Sequence, residues 1–326
     1  MRVLVSLDFG APADLVRDAL TLGAALAARG HTTIYVVGEP VSFVDQAGSW
    51  TPSELYQAPV VSALPPLVMK RPQVDGLADQ MAVAGYDSRQ ALLTLATIWN
   101  RQLEALKPDL IVGFGTPVLW LIGQLHAPTV VIGNGFAVPP ILGTSFPRLS
   151  VNSTPLADEN VMLANANAVL ARFGKPSLAA LSEVVQGCTS LLYGPPMFDP
   201  YLQLRRTLTI GLLGDQPQPT IPPTKDRLAV FLDVQCPGVE AIVLAVTGLG
   251  AIPVDIHISG VTTGMRRFLE QQPHIKVWND HAALLAQVET ASALVHHGVQ
   301  DVAQRCLTKG RPQLMIPWKR EQEILT

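Results

Sequence analysis

The sequence runs to 326 residues, with 48% hydrophobic and 15% charged side chains, a formal net charge of −3 and three cysteines. That length allows two domains with a substantial core. The composition excludes a disordered chain and the charge excludes a basic nucleic-acid-binding surface, while the odd, widely spaced Cys188, Cys236 and Cys306 exclude a disulfide framework or a cysteine metal cluster.

Met1 to Leu7 meets Asp8 too early for a signal peptide, and no apolar run is long enough to span a bilayer. A cytoplasmic protein with reduced thiols is expected. The apolar run from Val3 to Leu7, closed by Asp8-Phe9-Gly10-Ala11-Pro12, has the pattern of a buried first strand and its turn. Leu15, Ala19, Leu22 and Leu26 predict a helix over 14–28 that stops at Gly30. A second strand is expected at 34–37. Residues 38–87 are rich in Pro, Gly and Ser, and Trp50, Tyr56 and Tyr86 there are candidates for a ligand wall or for packing.

Leu92, Leu95, Trp99, Leu103 and Leu106 form one apolar face of a helix over 88–106. Lys107-Pro108-Asp109 breaks it, and strands at 110–112 and 129–132 flank a helix at 116–125. Gly133-Asn134-Gly135-Phe136 then forms either a tight turn or the border of a ligand pocket. The repeated helix, proline turn and apolar strand argue for parallel, right-handed βαβ units. Helices at 156–172 and 177–186 and strands at 189–192 and 208–210 complete a first domain over 1–210. The Pro-dense stretch 211–227 has neither helical nor strand period, which predicts a linker. A second domain follows over 228–326.

That second series reads strand 228–232, ending in Asp233-Val234-Gln235, then helix 237–247, strand 252–256, helix 263–271 and strand 275–277. Trp278-Asn279-Asp280-His281 comes next, followed by a helix and a short strand that reaches Val295-His296-His297-Gly298. A further helix ends at Gly310-Arg311-Pro312-Gln313, a strand follows to Pro317, and Glu321-Gln322 lies just beyond. The polar groups fall at the carboxyl ends of strands, where open α/β sheets bind ligands. A helix starting after His296-His297-Gly298 aims backbone N–H groups at an anion, above all a phosphate. Neither a Gly-x-Ser-x-Gly elbow nor a Gly-rich dinucleotide fingerprint is present, which weighs against a hydrolase or an NAD enzyme.

In order and spacing, Trp278, His296 with Gly298, Gly310-Arg311-Pro312-Gln313 and Glu321-Gln322 resemble the donor signature of the UDP-glycosyltransferase family, in its bacterial macrolide and sterol branch. The opening strand, helix, Arg29-Gly30-His31 and strand are similar to that family's amino-terminal domain. The resemblance implies an α/β chain of the GT-B fold, two Rossmann-like domains facing a cleft. It implies that Trp278 stacks on the nucleobase, His296 and Gly298 hold the diphosphate, and Glu321 and Gln322 hold sugar hydroxyls; read from its residues alone, His296 is also open to a buried structural role or a metal-ligand role. The implied reaction is an inverting, metal-independent transfer of a hexose from a UDP- or dTDP-linked sugar to a hydroxyl of a small lipophilic acceptor. The implied partners are the nucleotide sugar, which is a substrate and not a cofactor, and that acceptor. Peripheral membrane contact stays open because such acceptors are lipophilic.

The departures from the family are specific. Its usual catalytic His falls at Leu15, so Asp14 is the candidate base, with Asp8 the alternative and helix capping the competing role for Asp14. Val299-Gln300-Asp301-Val302 stands where the family has small residues ending in Ser or Thr. Asp280-His281 replaces Pro-Gln, and Asp233 adds charge beside them. The sequence stops at Thr326, where the family continues, so the expectation is an incomplete second domain whose apolar faces either another subunit or a rearrangement hides. These departures carry the alternative reading, a catalytically degenerate GT-B-like binding or auxiliary protein.

Overall fold

The computed structural model describes residues 1–8, 13–47, 52, 54–59, 74–150, 152–207, 209–213, 218, 220–221 and 226–323, without the side chains of residues 13, 14, 42, 45, 46, 282 and 321. The chain divides into two compact units, Met1–Gly214 and Asp215–Thr326.

The first unit is built on β1 (Arg2–Leu7), β2 (Thr32–Val37), β3 (Glu54–Gln57), β4 (Leu110–Phe114), β5 (Thr129–Gly133) and β6 (Thr189–Leu192). They form one sheet in the order β3-β2-β1-β4-β5-β6, with every pair parallel. Its helices are α1 (Ala13–Ala28), α2 (Pro40–Ala47), α3 (Leu77–Met81, continued by a π-helical turn over Ala82–Tyr86), α4 (Arg89–Leu106), α5 (Pro117–Gly123), α6 (Glu159–Arg172) and α7 (Glu183–Gln186). A sheet covered on both faces needs strands apolar on both faces. Accordingly Val3, Val5 and Leu7 of β1 pack with Val16 and Ala19 of α1, while Leu4 packs with Leu92, Trp99, Leu119 and Met162 of α4, α5 and α6. Ser88 caps α4 by accepting from the Ala91 N–H, and the left-handed Lys107 (φ 47°) ends it before Pro108.

The second unit carries β7 (Leu228–Asp233), β8 (Val254–Ser259), β9 (Ile275–Val277), β10 (Ala293–His296) and β11 (Gln313–Met315), all parallel, in the order β11-β10-β7-β8-β9. Its helices are α8 (Val239–Thr247), α9 (Thr263–Glu270), α10 (His281–Ala286), α11 (Gln300–Lys309) and α12 (Arg320–Glu323). Val230, Leu232 and Ile256 face Val243 and Leu269 of α8 and α9; Ala229 and Phe231 face Leu284, Val302 and Cys306 of α10 and α11.

Three local expectations change. The helix expected over 177–186 shrinks to Glu183–Gln186, because the Asn167 amide takes both the N–H and the C=O of Leu178 and holds that stretch out of helical pairing. No strand forms at 209–210, and Leu208 lies outside the described residues. Instead Ile210 N–H donates to Leu192 O, and Gly194 N–H to Gly211 O, so the segment runs beside β6. The edge strand β3 was hidden by its brevity, four residues with two polar ends. Residues 220 and 221 of the Pro-dense stretch are tied to the second unit, where the Arg311 guanidinium donates to Thr220 O (3.0 Å), Thr220 Oγ1 (2.7 Å) and Ile221 O (3.3 Å). Among the described residues no helix is long and apolar enough to cross a membrane.

In each sheet the direction of winding reverses once, between β1 and β4 in the first and between β7 and β10 in the second. The carboxyl ends of those strand pairs form the crevices where such sheets take ligands. In the first unit the crevice is backed by Gly113, the register partner of Ser6. Thr116 Oγ1 and Trp120 Nε1, buried and without hydrogen-bond partners among the described residues, stand in the space that a side chain at 113 would fill. Gly113→Ala is therefore expected to destabilise the protein by about 1–3 kcal/mol, the range for overpacking a filled core, measured by urea unfolding.

Candidate functional site

The second unit's crevice is built around His296, the last residue of β10, which is 0% exposed. The Gly298 N–H donates to its Nδ1 at 3.0 Å. That contact leaves the ring proton on Nε2, which donates to Gln313 Oε1 at 2.9 Å. Burial pulls the imidazole's pKa below its ordinary value, in keeping with this neutral tautomer. Both nitrogens thus serve the turn itself. Gly298 takes φ 80°, a left-handed conformation that favours glycine.

Gly298 is also a point of close approach, since a Cβ there would lie 3.2 Å from the Cβ of Gln322. The fold thereby brings together two parts of the predicted set that are distant in sequence. Gln322 is buried, and its Oε1 accepts from the Trp318 and Lys319 N–H groups at 3.1 and 3.2 Å. Glu321 lies in α12, and its side chain is outside the described residues.

Trp278 follows β9, half-buried, with its Nε1–H donating to Asp255 Oδ1 at 2.9 Å and the Lys276 ammonium 3.8 Å from its ring centre. Asp255 is itself paired with Arg227 at 2.6 Å. The segment after Trp278 meets the start of α11, just beyond the His296–Gly298 turn, where His281 Nε2 lies 3.0 Å from Asp301 Oδ2. Asp301 Oδ1 accepts from the Val302 N–H at the start of α11. The His281 ring also meets the rings of Phe231 (5.1 Å) and His257 (5.5 Å). His257 donates from Nδ1 to Trp278 O at 3.1 Å. His297 donates from Nδ1 to Ile316 O, and its Nε2 is buried with no hydrogen-bond partner among the described residues.

In the first unit, Asp8 directly follows β1, whose Leu7 pairs with Phe114 of β4, so it stands at the reversal point. Burial pushes its carboxyl up to about 8, against the lowering effect of the Ser6 hydroxyl, which donates to Oδ1 at 2.9 Å. Asp14 is in the first turn of α1, with its side chain outside the described residues, as is Trp50. Tyr86 is fully buried and donates to Pro117 O at 2.9 Å, a packing role, whereas Tyr56 on the edge strand is 41% exposed. The Gly133–Phe136 turn is closed by Asn134, which accepts from the Ala137 N–H, and is gripped by Arg205 through Gly135 O and Val138 O at 2.7 Å each. Arg205 is in turn ion-paired with Asp199.

The structure is similar to that of the glycosyltransferase SnogD from Streptomyces nogalater, with a TM-score of 0.61 over 98% of this chain and 82% of that one, at 18% identity. It is similar to the spinosyn rhamnosyltransferase SpnG (TM-score 0.62, 100% and 83% covered, 16% identity) and to the glycosyltransferase VinC in complex with dTDP (0.58, 99% and 83%, 17%). The fold is that of the GT-B glycosyltransferases. No family model matches the sequence, and no curated protein matches it.

Within this GT-B chain, sequence reasoning missed Asp255, Lys276 and Arg205. A carboxylate between Val254 and Ile256 of a buried strand was the available signal for Asp255, because a buried charge requires a partner. His281 was noted only as a departure from the family. Its contact with Asp301 needed three dimensions.

Removing the His296 ring deletes two buried hydrogen bonds and leaves a cavity. His296→Ala is expected to lower stability by about 2–4 kcal/mol in denaturant unfolding. Burial also lowers the pKa of His257 and His297 from the ordinary 6.5, so the unfolded chain binds protons that the folded chain refuses. Stability from these groups is present above 6.5 and declines as pH falls through the lowered folded values, which thermal unfolding across the acid range will show.

Proposed function

We propose that this protein is a glycosyltransferase that moves a hexose from a UDP- or dTDP-linked sugar to a hydroxyl of a small lipophilic acceptor. The observation that carries the reading is the meeting of the Gly298 turn with Gln322 at the β7–β10 reversal point, with the Trp278 segment joined to the start of α11, just beyond that turn, through His281 and Asp301. The dTDP bound to VinC supports a nucleotide of this class.

The chemistry follows from the two crevices. A base in the first unit takes the proton from the acceptor hydroxyl, whose oxygen forms a bond to the anomeric carbon as the bond to the diphosphate breaks. Displacement from the opposite face inverts that carbon. Asp8 suits the base better than Asp14, because a general base works best with a pKa near the operating pH, and burial has moved Asp8 there. In the second unit the backbone N–H groups beyond Gly298 offset the charge of the leaving diphosphate, so no metal is required. Trp278 offers the nucleobase an indole whose orientation Asp255 fixes. Gln322 and Glu321 are assigned to the sugar hydroxyls, and His296 shapes the turn from behind.

One observation favours the non-catalytic alternative. The Asp301 carboxylate already occupies an amide of the α11 amino terminus that a phosphate would use. Titration calorimetry with UDP and dTDP decides the matter. The enzyme reading expects binding of at least one, and absence of both at millimolar concentration sinks it. With a working acceptor, kcat/KM should rise with pH up to about 8, because Asp8 must be ionised to act. Asp8→Asn should abolish transfer while leaving nucleotide affinity intact.

A further inference from the structure

At the outer edge of the first sheet the structure holds a cavity of about 210 Å³. Its walls come from the segment after β5, from β6, and from Arg205, Thr207 and Ile210. In the sheet β6 lies two strand steps from β4, about 10 Å at the usual spacing, so the cavity is set apart from the β1–β4 crevice. Its volume is below the roughly 300–1,000 Å³ of sites for drug-sized ligands, and matches a single ring with one substituent.

Most of the lining is apolar: Pro139, Pro140, Ile141, Leu192 and Ile210. The φ angles of the two prolines are fixed by their rings, so that wall loses little freedom when a ligand packs on it. Arg205 supplies the polar end. Its side chain is 6% exposed and ion-paired with Asp199, which is 2% exposed. Nε and Nη2 are engaged by Asp199, Gly135 O and Val138 O, while Nη1 has no hydrogen-bond partner among the described residues. A guanidinium held at this many points presents its remaining N–H groups in a fixed direction. Ser190 and Thr207, both exposed, add hydroxyls that donate or accept.

We propose that this cavity is a binding site for a small, mainly apolar ring compound bearing a carbonyl group, whose oxygen accepts from Arg205 Nη1 while the ring packs on Pro139, Pro140 and Ile141. The inference concerns the first unit alone and does not rest on glycosyl transfer. The ligand must bring an acceptor, because a guanidinium offers only donors. A neutral carbonyl fits better than a carboxylate: Asp199 already balances the Arg205 charge, and a second carboxylate would be repelled by it. A ring without oxygen leaves the Nη1 donor unpaired.

The test is fluorine NMR with para-fluoroacetophenone, para-fluorobenzoate and para-fluorotoluene, which put three different groups on one ring. The ketone should bind saturably at millimolar concentration. The toluene should bind about tenfold more weakly, the loss of one hydrogen bond to a charged group. The benzoate should also bind more weakly than the ketone. Ser190→Phe fills the cavity from an exposed position on β6, and Thr207→Trp fills it from outside the sheet; each should abolish ketone binding with an unchanged unfolding transition. Nuclear Overhauser contacts between the ketone's ring protons and the Ile141 and Ile210 methyl groups should place it without any substitution.

Equal affinities for the three probes, or tighter binding of the benzoate, overturns the proposal. So does absence of saturable ketone binding, or binding that survives both filled variants in their folded state. Should neither variant fold, the methyl contacts decide, and their absence from the bound ketone has the same consequence. None of these outcomes bears on nucleotide binding by the second unit.

Discussion

The second unit depends on a buried imidazole that has no contact left to give. His296 accepts from Gly298 on one nitrogen and donates to Gln313 on the other, at 0% exposure. The first contact sets the left-handed turn, and the second ties that turn to β11. From there α11 starts in a fixed direction and Gln322 comes to rest against Gly298. A flexible ligand-binding histidine would leave all three loose. His296 thus builds the frame of the turn.

Much of this was legible in the sequence. Leu228 to Leu232 is apolar at every position and Val3 to Leu7 at all but Ser6, the pattern of strands covered on both faces. Gly30, Lys107-Pro108 and Gly310 mark helix ends where the structure has left-handed residues or breaks. Legibility ended where structure depends on tertiary hydrogen bonds. Nothing local announces that Asn167 will hold Leu178 out of a helix, or that Asp301 will find His281. The order of Trp278, His296, Gly298 and Gln322 along the chain could be read; the hydrogen-bond state of each could not, and roles are decided by that state.

The surroundings of Trp278 make the same point about electrostatics. Its indole N–H is fixed by Asp255, whose charge is balanced by Arg227, and the ammonium of Lys276 lies over the ring. The indole is thus held in a defined orientation with a cation over one face. Side-chain pairs at this edge include Arg227 with Asp255 and His281 with Asp301.

The parallel topology also dictates the order in which the protein can be completed during its synthesis. β1 pairs with β2 close by in sequence, but its other neighbour is β4, so Val3 waits for Leu110. Until that later segment has left the ribosome, one edge of β1 stays unpaired. The second unit has shorter waits, with Leu228 meeting Val254 and then Ala293. Non-local parallel pairing of this kind is slow, and exposes sticky edges while it lasts. The first unit therefore keeps an unpaired strand edge for longer during synthesis than the second.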